Sequence, residues 1–378
     1  MIAEAETNEV KIYDAVVVGA GAAGIGVGVA LKHAEIEDFV IIDRHHVGAS
    51  FDLWPAETRF ITPSFASNSI GMLDLNSIAI GVSPAYSLQV EHPTGAEYAD
   101  HLRAVAQYFE LPVRVGLNVA CVTKHADLFI LYTPDETLYC KHLIWAAGEF
   151  QYPNRIGFDG ADLCRHTASV ASYGDLPGDD FVIIGGYESG VDAAFHLASY
   201  DKRARLLDSG CPWEDESSDP SVSLSTYSQE RMREQWFESQ VELLPNCEVC
   251  AVKQRGESYV VCTCDDRELK TSAAPLLATG FEGSLRLIDD LFEKRDDGYP
   301  ELSEQDESTI TAGLYLCGPS VRHDHHVFCF IYKYRQRFAV VVKAIATSLG
   351  LPAEELESYR RWGMYLDDLS CCGEECEC

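Results

Sequence analysis

Tyr13-Asp14-Ala15-Val16-Val17-Val18-Gly19-Ala20-Gly21-Ala22-Ala23-Gly24 is the stretch that decides the fold of this chain. A short apolar run of strand-forming residues, the pattern of a strand buried on both faces of a parallel sheet, leads straight into three glycines spaced Gly-x-Gly-x-x-Gly. An Ala- and Val-rich stretch to about His33 then reads as a helix, and a second apolar run, Phe39-Val40-Ile41-Ile42, ends at Asp43, 24 positions after Gly19. Gly19 permits a tight turn, and Gly21 lets backbone N–H groups approach a pyrophosphate at the positive helix end. Gly24 allows the helix to pack closely on the strand. Ala22 and Ala23 lie within the same candidate dinucleotide-binding turn. Asp43 is placed to accept hydrogen bonds from a ribose hydroxyl, with Arg44 beside it.

A second version of this unit begins at Phe181-Val182-Ile183-Ile184, continues through Gly185-Gly186-Tyr187-Glu188-Ser189-Gly190 and has a helical pattern from Val191 to about Tyr200. Its next strand, Ala204-Arg205-Leu206-Leu207, ends at Asp208, 23 positions after Gly185. Gly185, Gly186, Gly190 and Asp208 are the candidate contacts to a second nucleotide. Asp208 would repel a 2′-phosphate, so NADH is expected there before NADPH. Tyr187 stands where the second fingerprint glycine belongs, which leaves open that this half keeps the fold and has lost the nucleotide.

Around these units the chain has 378 residues, with 60 acidic against 29 basic side chains, a formal net charge of −31 and 14 cysteines. At about 100 to 200 residues per domain, this length predicts two or three domains. The acid excess opposes binding to nucleic acid or to anionic membrane surfaces, although a salt-adapted proteome yields the same excess. No apolar run is long enough for a membrane span, and the first 15 residues lack the basic and apolar regions of a signal peptide. A cytoplasmic location with mostly reduced cysteines is therefore expected.

The arrangement resembles the flavoproteins with two dinucleotide-binding domains, a group that includes thioredoxin-reductase-like and bacillithiol-disulfide-reductase-like enzymes and flavin-containing monooxygenases. Leu143-Ile144-Trp145-Ala146-Ala147-Gly148 and Pro275-Leu276-Leu277-Ala278-Thr279-Gly280 are similar to the strands at which such chains cross between domains, and Gly313 to Gly318 to their late FAD-binding strand. The resemblance implies an α/β fold of two doubly wound, three-layer ββα Rossmann-like domains, the second inserted into the first. The expected parts are an FAD domain (1–165 and 279–360), an NAD(P)-binding-like domain (166–278) and a Cys-rich acidic tail (361–378). It also implies FAD on the first fingerprint, with Ser50, Phe51, Trp54, Thr62, Ala147, Gly148 and Gly318 along the flavin, and a nicotinamide nucleotide on the second. A small thiol, disulfide or redox-protein partner and a homo-oligomer are expected on the same grounds.

Three departures leave both familiar active sites of that group incomplete. Gly318 is followed by Pro319 rather than an aspartate. Ala23 stands where bacillithiol disulfide reductases carry a cysteine, and no Cys-x-x-Cys follows the second fingerprint. His166 stands six rather than four positions after Gly160, which loosens the monooxygenase pattern.

Thiols elsewhere offer alternatives. Cys247-Glu248-Val249-Cys250 has redox-motif spacing but reads as strand. A hairpin through Arg255-Gly256 is expected to bring Cys250 opposite Cys262, either as space-filling thiols, as a disulfide or as a metal site. The tail cysteines Cys371, Cys372, Cys376 and Cys378 sit on a segment that extends about 46 Å from Met364 at about 3.3 Å per residue. They read as a redox shuttle, a metal-handling motif or an incidental acidic tail. Surrounding acids raise thiol pKa, so a shuttle needs a positive dock. Arg322-His323-Asp324-His325-His326 is expected to supply that dock and to open the following helix. His325 and His326 are then candidate general acids, with a metal site or solvated histidines as alternatives.

Overall fold

Apolar, β-branched runs form the strands of two parallel sheets. The computed structural model describes residues 10–66, 72–155, 157–215, 217, 219 and 221–371. In the first sheet the parallel order is Val113–Val115, Phe39–Asp43, Ile12–Val18, Thr137–Trp145 and Leu314–Leu316. Val16 pairs with Val40 on one side and Leu143 on the other, which places the first strand at the centre of the core. The nine-residue strand Thr137–Trp145 also carries an antiparallel meander with Leu128–Tyr132 and Cys121–His125.

The second sheet repeats the plan. Its parallel order is Val241–Leu244, Arg203–Leu207, Asp180–Ile184, Leu276–Leu277 and Arg165–His166. An antiparallel sheet of Val249–Arg255, Ser258–Thr263 and Glu268–Thr271 covers it. The chain leaves the first sheet after Trp145 and returns to it at Leu314, so the second domain is an insertion, as the sequence predicts. The two expected helices form as Ala22–His33 and Glu188–Ser199, and a further helix, Gly95–Tyr108, is opened by a reciprocal capping box between Thr94 and Glu97. No helix among the described residues is long and apolar enough to cross a membrane.

Two expectations change. In the hairpin, an irregularity between Val249 and Ala251 shifts the register, so that Ala251 faces Cys262. Cys250 is carried past it to form a disulfide with Cys264, with the Cα atoms 5.3 Å apart. Arg322-His323 and His326-Val327 do not open the following helix. They are the arms of a two-stranded ribbon turned through Asp324 at φ +48°, and the helix Ile331–Tyr334 starts after Phe330.

Two polar clusters fix the parts against each other. Glu57, in the first domain, accepts Ser172 Oγ at 2.6 Å and the Tyr173 and Gly174 N–H groups of the second. Beside it, Thr58 donates to Asp192 Oδ2 at 2.6 Å, while Arg231 holds Asp192 Oδ1 at 2.8 Å. Near the C-terminus, Asp306 (0% exposed) accepts from Arg337 (1% exposed) at 2.8 Å and contacts His323 at 2.5 Å. Arg337 also donates to Leu366 O, which fastens the segment after Met364 to the ribbon and the long C-terminal helix.

Burial acts to raise the Asp306 carboxyl, but Arg337 and His323 outweigh it and hold it below the ordinary value. Its stabilising effect is therefore complete above the ordinary carboxylate range and is lost as the pH falls through its lowered folded value. Asp306→Asn leaves Arg337 buried beside a neutral amide and is expected to cost about 3–5 kcal/mol in urea unfolding. Glu357→Gln, at the exposed Lys343 and Arg360 pairs, should leave the midpoint nearly unchanged. Equal losses from the two variants would contradict this picture.

Candidate functional site

The helix Ala22–His33 begins with no capping side chain and no acid in its first turn. Its first N–H groups therefore keep their partial positive charge for whatever lies beyond them. Gly19, at φ +109°, turns the chain where a Cβ would lie 2.4 Å from Ala146 O. A Cβ on Gly24 would lie 1.8 Å from Gly19 O, whereas a Cβ on Gly21 would meet no atom within 4 Å. Packing thus demands Gly19 and Gly24, while Gly21 borders open space.

That space is a cleft of about 360 Å³ between the two domains. Gly19, Gly21, Ala22 and Ala23 form its floor, Ala147 and Gly148 a side, and Ser50, Phe51, Trp54 and Thr62 a wall. Phe51, Trp54, Phe60 and Tyr98 pack into an aromatic cluster with centroids 4.5–5.6 Å apart, which makes this wall apolar and stiff. Gly318, at φ +111°, stands against Ala23, and Pro319 rather than an acid reaches the cleft. Beyond Asp43 a smaller cavity of about 50 Å³ continues the cleft past Arg44, Asn118 and Tyr152. Asp43 closes the strand with Oδ2 accepting Ala20 N at 2.9 Å and Oδ1 accepting His45 N at 2.7 Å. Arg44 donates to Gln151 Oε1 at 2.5 Å, and Gln151 donates to Ser50 Oγ at 3.2 Å.

An uncapped helix end, a carboxylate at the neighbouring strand end and an elongated, mostly apolar cleft fit a flavin dinucleotide. The pyrophosphate would lie on the helix end, the ribose at Asp43 and the ring system along the Trp54 wall.

The second fingerprint repeats the backbone and differs in what covers it. Asp208 is held as Asp43 is, by Gly186 N at 2.7 Å and Gly210 N at 2.8 Å. Gly185 has φ +104°, with Ala278 O 2.4 Å from its Cβ position, and a Cβ on Gly190 would lie 1.9 Å from Gly185 O. Where Gly21 borders space, Tyr187 carries a ring whose hydroxyl donates to Ser223 O at 2.7 Å. Glu188 opens the helix Glu188–Ser199, its carboxylate accepting Ser225 N at 2.5 Å and Ser228 Oγ at 2.6 Å. A Cβ on Gly186 would lie 2.5 Å from the Trp213 ring. The Trp213 ring over Gly186, Tyr187 in place of the open glycine and a negative charge in the helix's first turn thus crowd this turn, and in this arrangement the second fingerprint does not fit a nicotinamide nucleotide.

Several candidate residues lie away from the cleft. Neither His325 nor His326 lines it. Burial and the neighbouring His325 lower His326, against a hydrogen bond with the Leu369 backbone. His166 is a packing residue whose Nδ1 accepts Ala168 N at 3.1 Å and whose Nε2 meets Gly280 O at 3.1 Å. Cys371 ends the turn Leu369–Cys371, while Cys372, Cys376 and Cys378 fall outside the described residues.

Sequence reasoning missed Glu149 and Cys329, which both line the cleft. Glu149 follows Ala147-Gly148 directly, a usable signal; Cys329 carries none.

Residues 16–318 match the pyridine nucleotide-disulphide oxidoreductase family. An uncharacterized oxidoreductase, CzcO, of Bacillus velezensis is 31% identical over 192 residues, covering 50% of this chain and 52% of that protein. The chain thus spans about half the length of the first curated relatives it matches. The bacilliredoxin reductase Bdr of Bacillus subtilis is 24% identical over 315 residues, 80% of this chain and 88% of that one. In fold, the chain is similar to the bacillithiol disulfide reductase of Staphylococcus aureus, with a TM-score of 0.74 at 18% identity over 89% of this chain and 99% of the other. A flavin-containing monooxygenase of Stenotrophomonas maltophilia has a TM-score of 0.68 at 15% identity over 90% of this chain and 99% of the other.

Gly21→Asp places a carboxylate in the open space at the helix end. It is expected to leave circular dichroism and thermal unfolding unchanged while removing bound flavin from the purified protein. Gly24→Val, driven against Gly19 O, is expected to lower the thermal midpoint itself. Full flavin content in Gly21→Asp would contradict the assignment of this cradle.

Proposed function

The chain belongs to the pyridine nucleotide-disulphide oxidoreductases, and from that premise we propose that it is an FAD-dependent oxidoreductase acting on a thiol or disulfide in the interdomain cleft. The observation that carries the reading is the cradle at Gly21, an uncapped helix end facing a cleft that Asp43 borders. FAD bound there supplies a two-electron carrier. The chain's own work is to hold the phosphates with the first-turn N–H groups, to accept the ribose hydroxyls at Asp43, and to exclude water from the ring with the Phe51, Trp54 and Phe60 wall. Glu149, whose carboxyl burial raises above its ordinary value, is available in the cleft to hold or release a proton.

Family membership implies a nicotinamide cofactor as well as a flavin. Asp208 favours NADH over NADPH as the expected reductant, and its use requires Tyr187, Glu188 and Trp213 to leave their present places. The covered helix end supports a second reading, in which the second domain binds no nucleotide and the flavin exchanges electrons with a carrier. The tail thiols remain proposed as a shuttle. The anchoring of Leu366 by Arg337 and of Leu369 by His326 beside the ribbon supports that role for the described part of the tail.

In anaerobic titrations, stoichiometric NADH is expected to bleach the flavin of the wild-type protein slowly. Glu188→Ala combined with Trp213→Ala should speed bleaching about tenfold, because a phosphate then meets no like charge of about 1.4 kcal/mol or more. Prompt wild-type bleaching by NADPH would contradict this. Truncation before Cys371 is expected to lower disulfide turnover with flavin content unchanged, and unchanged turnover would remove the tail from the mechanism.

A further inference from the structure

We propose that the Cys250–Cys264 disulfide is a redox site on the outside of the second domain, opened by an uncharged dithiol from solvent, and that its opening loosens the turn that covers the second fingerprint. The inference rests on the reading above that this fingerprint is covered, and it adds the chemistry that uncovers it.

Both cysteines are exposed and neither lines the cleft, so this cystine stands apart from any flavin chemistry there. The sheet that carries it turns Val252 and Val261 inward, where they cluster with Val182 and Leu207 of the second domain. Cys250 itself has no partner in the strand register, because the ladder steps from Val249 to Ala251 past it. A solvent thiolate can therefore reach the bond, whereas Cys140, Cys164, Cys247 and Cys317 are shielded in the domain cores. Glu248, Asp265 and Asp266 adjoin the two cysteines in sequence and are exposed too, against the one cation of Arg267. That surplus of negative charge disfavours an anionic thiol and leaves an uncharged dithiol as the fitting reductant.

The second observation is what this end of the hairpin holds in place. The Cys264 N–H donates to Glu248 O at 2.8 Å, the Cys247 N–H to Asp208 O at 2.6 Å and the Asn246 N–H to Gly210 O at 2.8 Å. The stretch from Asn246 to Cys250 thus runs from the disulfide straight onto the turn Asp208–Gly210. That turn is the cover's foundation. A Cβ on Gly186 would lie 2.9 Å from Asp208 Cβ and 2.5 Å from the Trp213 ring, so Asp208 and Trp213 press on the fingerprint together. With the disulfide closed, Cys250 pins the far end of this hydrogen-bonded stretch. With it open, the stretch is held at that end only by the Val249 and Thr263 pair and one hydrogen bond, and the turn above the fingerprint gains freedom.

In the step, one thiol of the dithiol loses its proton and attacks a sulfur of the cystine. A mixed disulfide forms, the Cys250–Cys264 bond breaks, and the departing cysteine thiolate takes up that proton. The reagent's second thiol then attacks the mixed disulfide, closing the reagent into a cyclic disulfide and releasing the other cysteine, which takes the second proton. The dithiol is oxidised and the cystine is reduced to two thiols, so atoms and electrons balance.

The test uses the full-length, flavin-loaded protein, with dithiothreitol as the probe, removed anaerobically before each assay. Iodoacetamide labelling read by peptide mass spectrometry is expected on Cys250 and Cys264 only after reduction, with the exposed Cys121 labelled in both states as the reference. Amide hydrogen exchange in the peptides spanning 206–215 and 244–250 should quicken on reduction, and bleaching of oxidised flavin by NADH should quicken by about tenfold. The double variant Cys250→Ser with Cys264→Ser, its folding checked by circular dichroism and flavin absorbance, is expected to match the reduced protein and to ignore dithiothreitol. Cysteines that stay unlabelled after native reduction, or that label beforehand and resist oxidation by cyclic dithiothreitol disulfide, would overturn the inference. So would reduction that leaves both exchange and bleaching unchanged, while flavin turnover with a disulfide would leave the proposed function standing. Quickened exchange in a protein whose flavin no reductant bleaches would instead support the switch and remove the oxidoreductase reading.

Discussion

An α-helix that starts inside a protein brings N–H groups that need partners, and the helix Ala22–His33 has none of its own at that end. The rest of the first domain is arranged around this deficit. The strand Ile12–Val18 aims the helix end at the cleft, Gly19 and Gly24 let strand, turn and helix close on one another, and Asp43 stops the next strand beside the same opening. The aromatic wall from Phe51 to Phe60 then shields that opening, which strengthens the interaction of its dipoles with an anion. One unsatisfied helix terminus thus explains a sheet order, three glycines and a cleft.

The second domain shows what happens when the same deficit is met from within. Its strand order, its turn at Gly185 and its acid at Asp208 repeat those of the first domain. Glu188 places a negative charge on the helix end, and Tyr187 and Trp213 cover what remains. The domain keeps a structural task in either case, since Asp192 on this helix receives Thr58 from the first domain. Burial alone would raise the Asp192 carboxyl, but His196, Arg231 and Thr58 hold it down to about 2, so the contact between domains is ionised at any ordinary pH.

Much of this was legible in the sequence because it depends on local pattern. Apolar runs ending in glycines, and the acid 24 positions after Gly19 and 23 after Gly185, mark both nucleotide-type units and the inserted order of the domains. What escaped depends on contacts between distant segments or on small irregularities. One shifted position between Val249 and Ala251 sends Cys250 to Cys264 instead of Cys262. A left-handed residue at Asp324 turns an expected helix start into a ribbon and carries His325 and His326 away from the cleft. Glu149 and Cys329 line one cleft from positions 180 residues apart, and no periodicity announces such a pair. Tyr187, visible as a break in the second fingerprint, was the one local sign that the two halves differ.

The central claim is that, of two fingerprints with the same backbone turn, one is open to a dinucleotide and the other is covered by the chain's own side chains. The most direct measurement is the nucleotide content of the purified full-length protein, released by heat and counted by mass and absorbance against protein concentration. One FAD per chain with no co-purifying nicotinamide nucleotide is the predicted result. A nicotinamide nucleotide retained in stoichiometric amount, or a protein that neither carries nor takes up FAD, would contradict it.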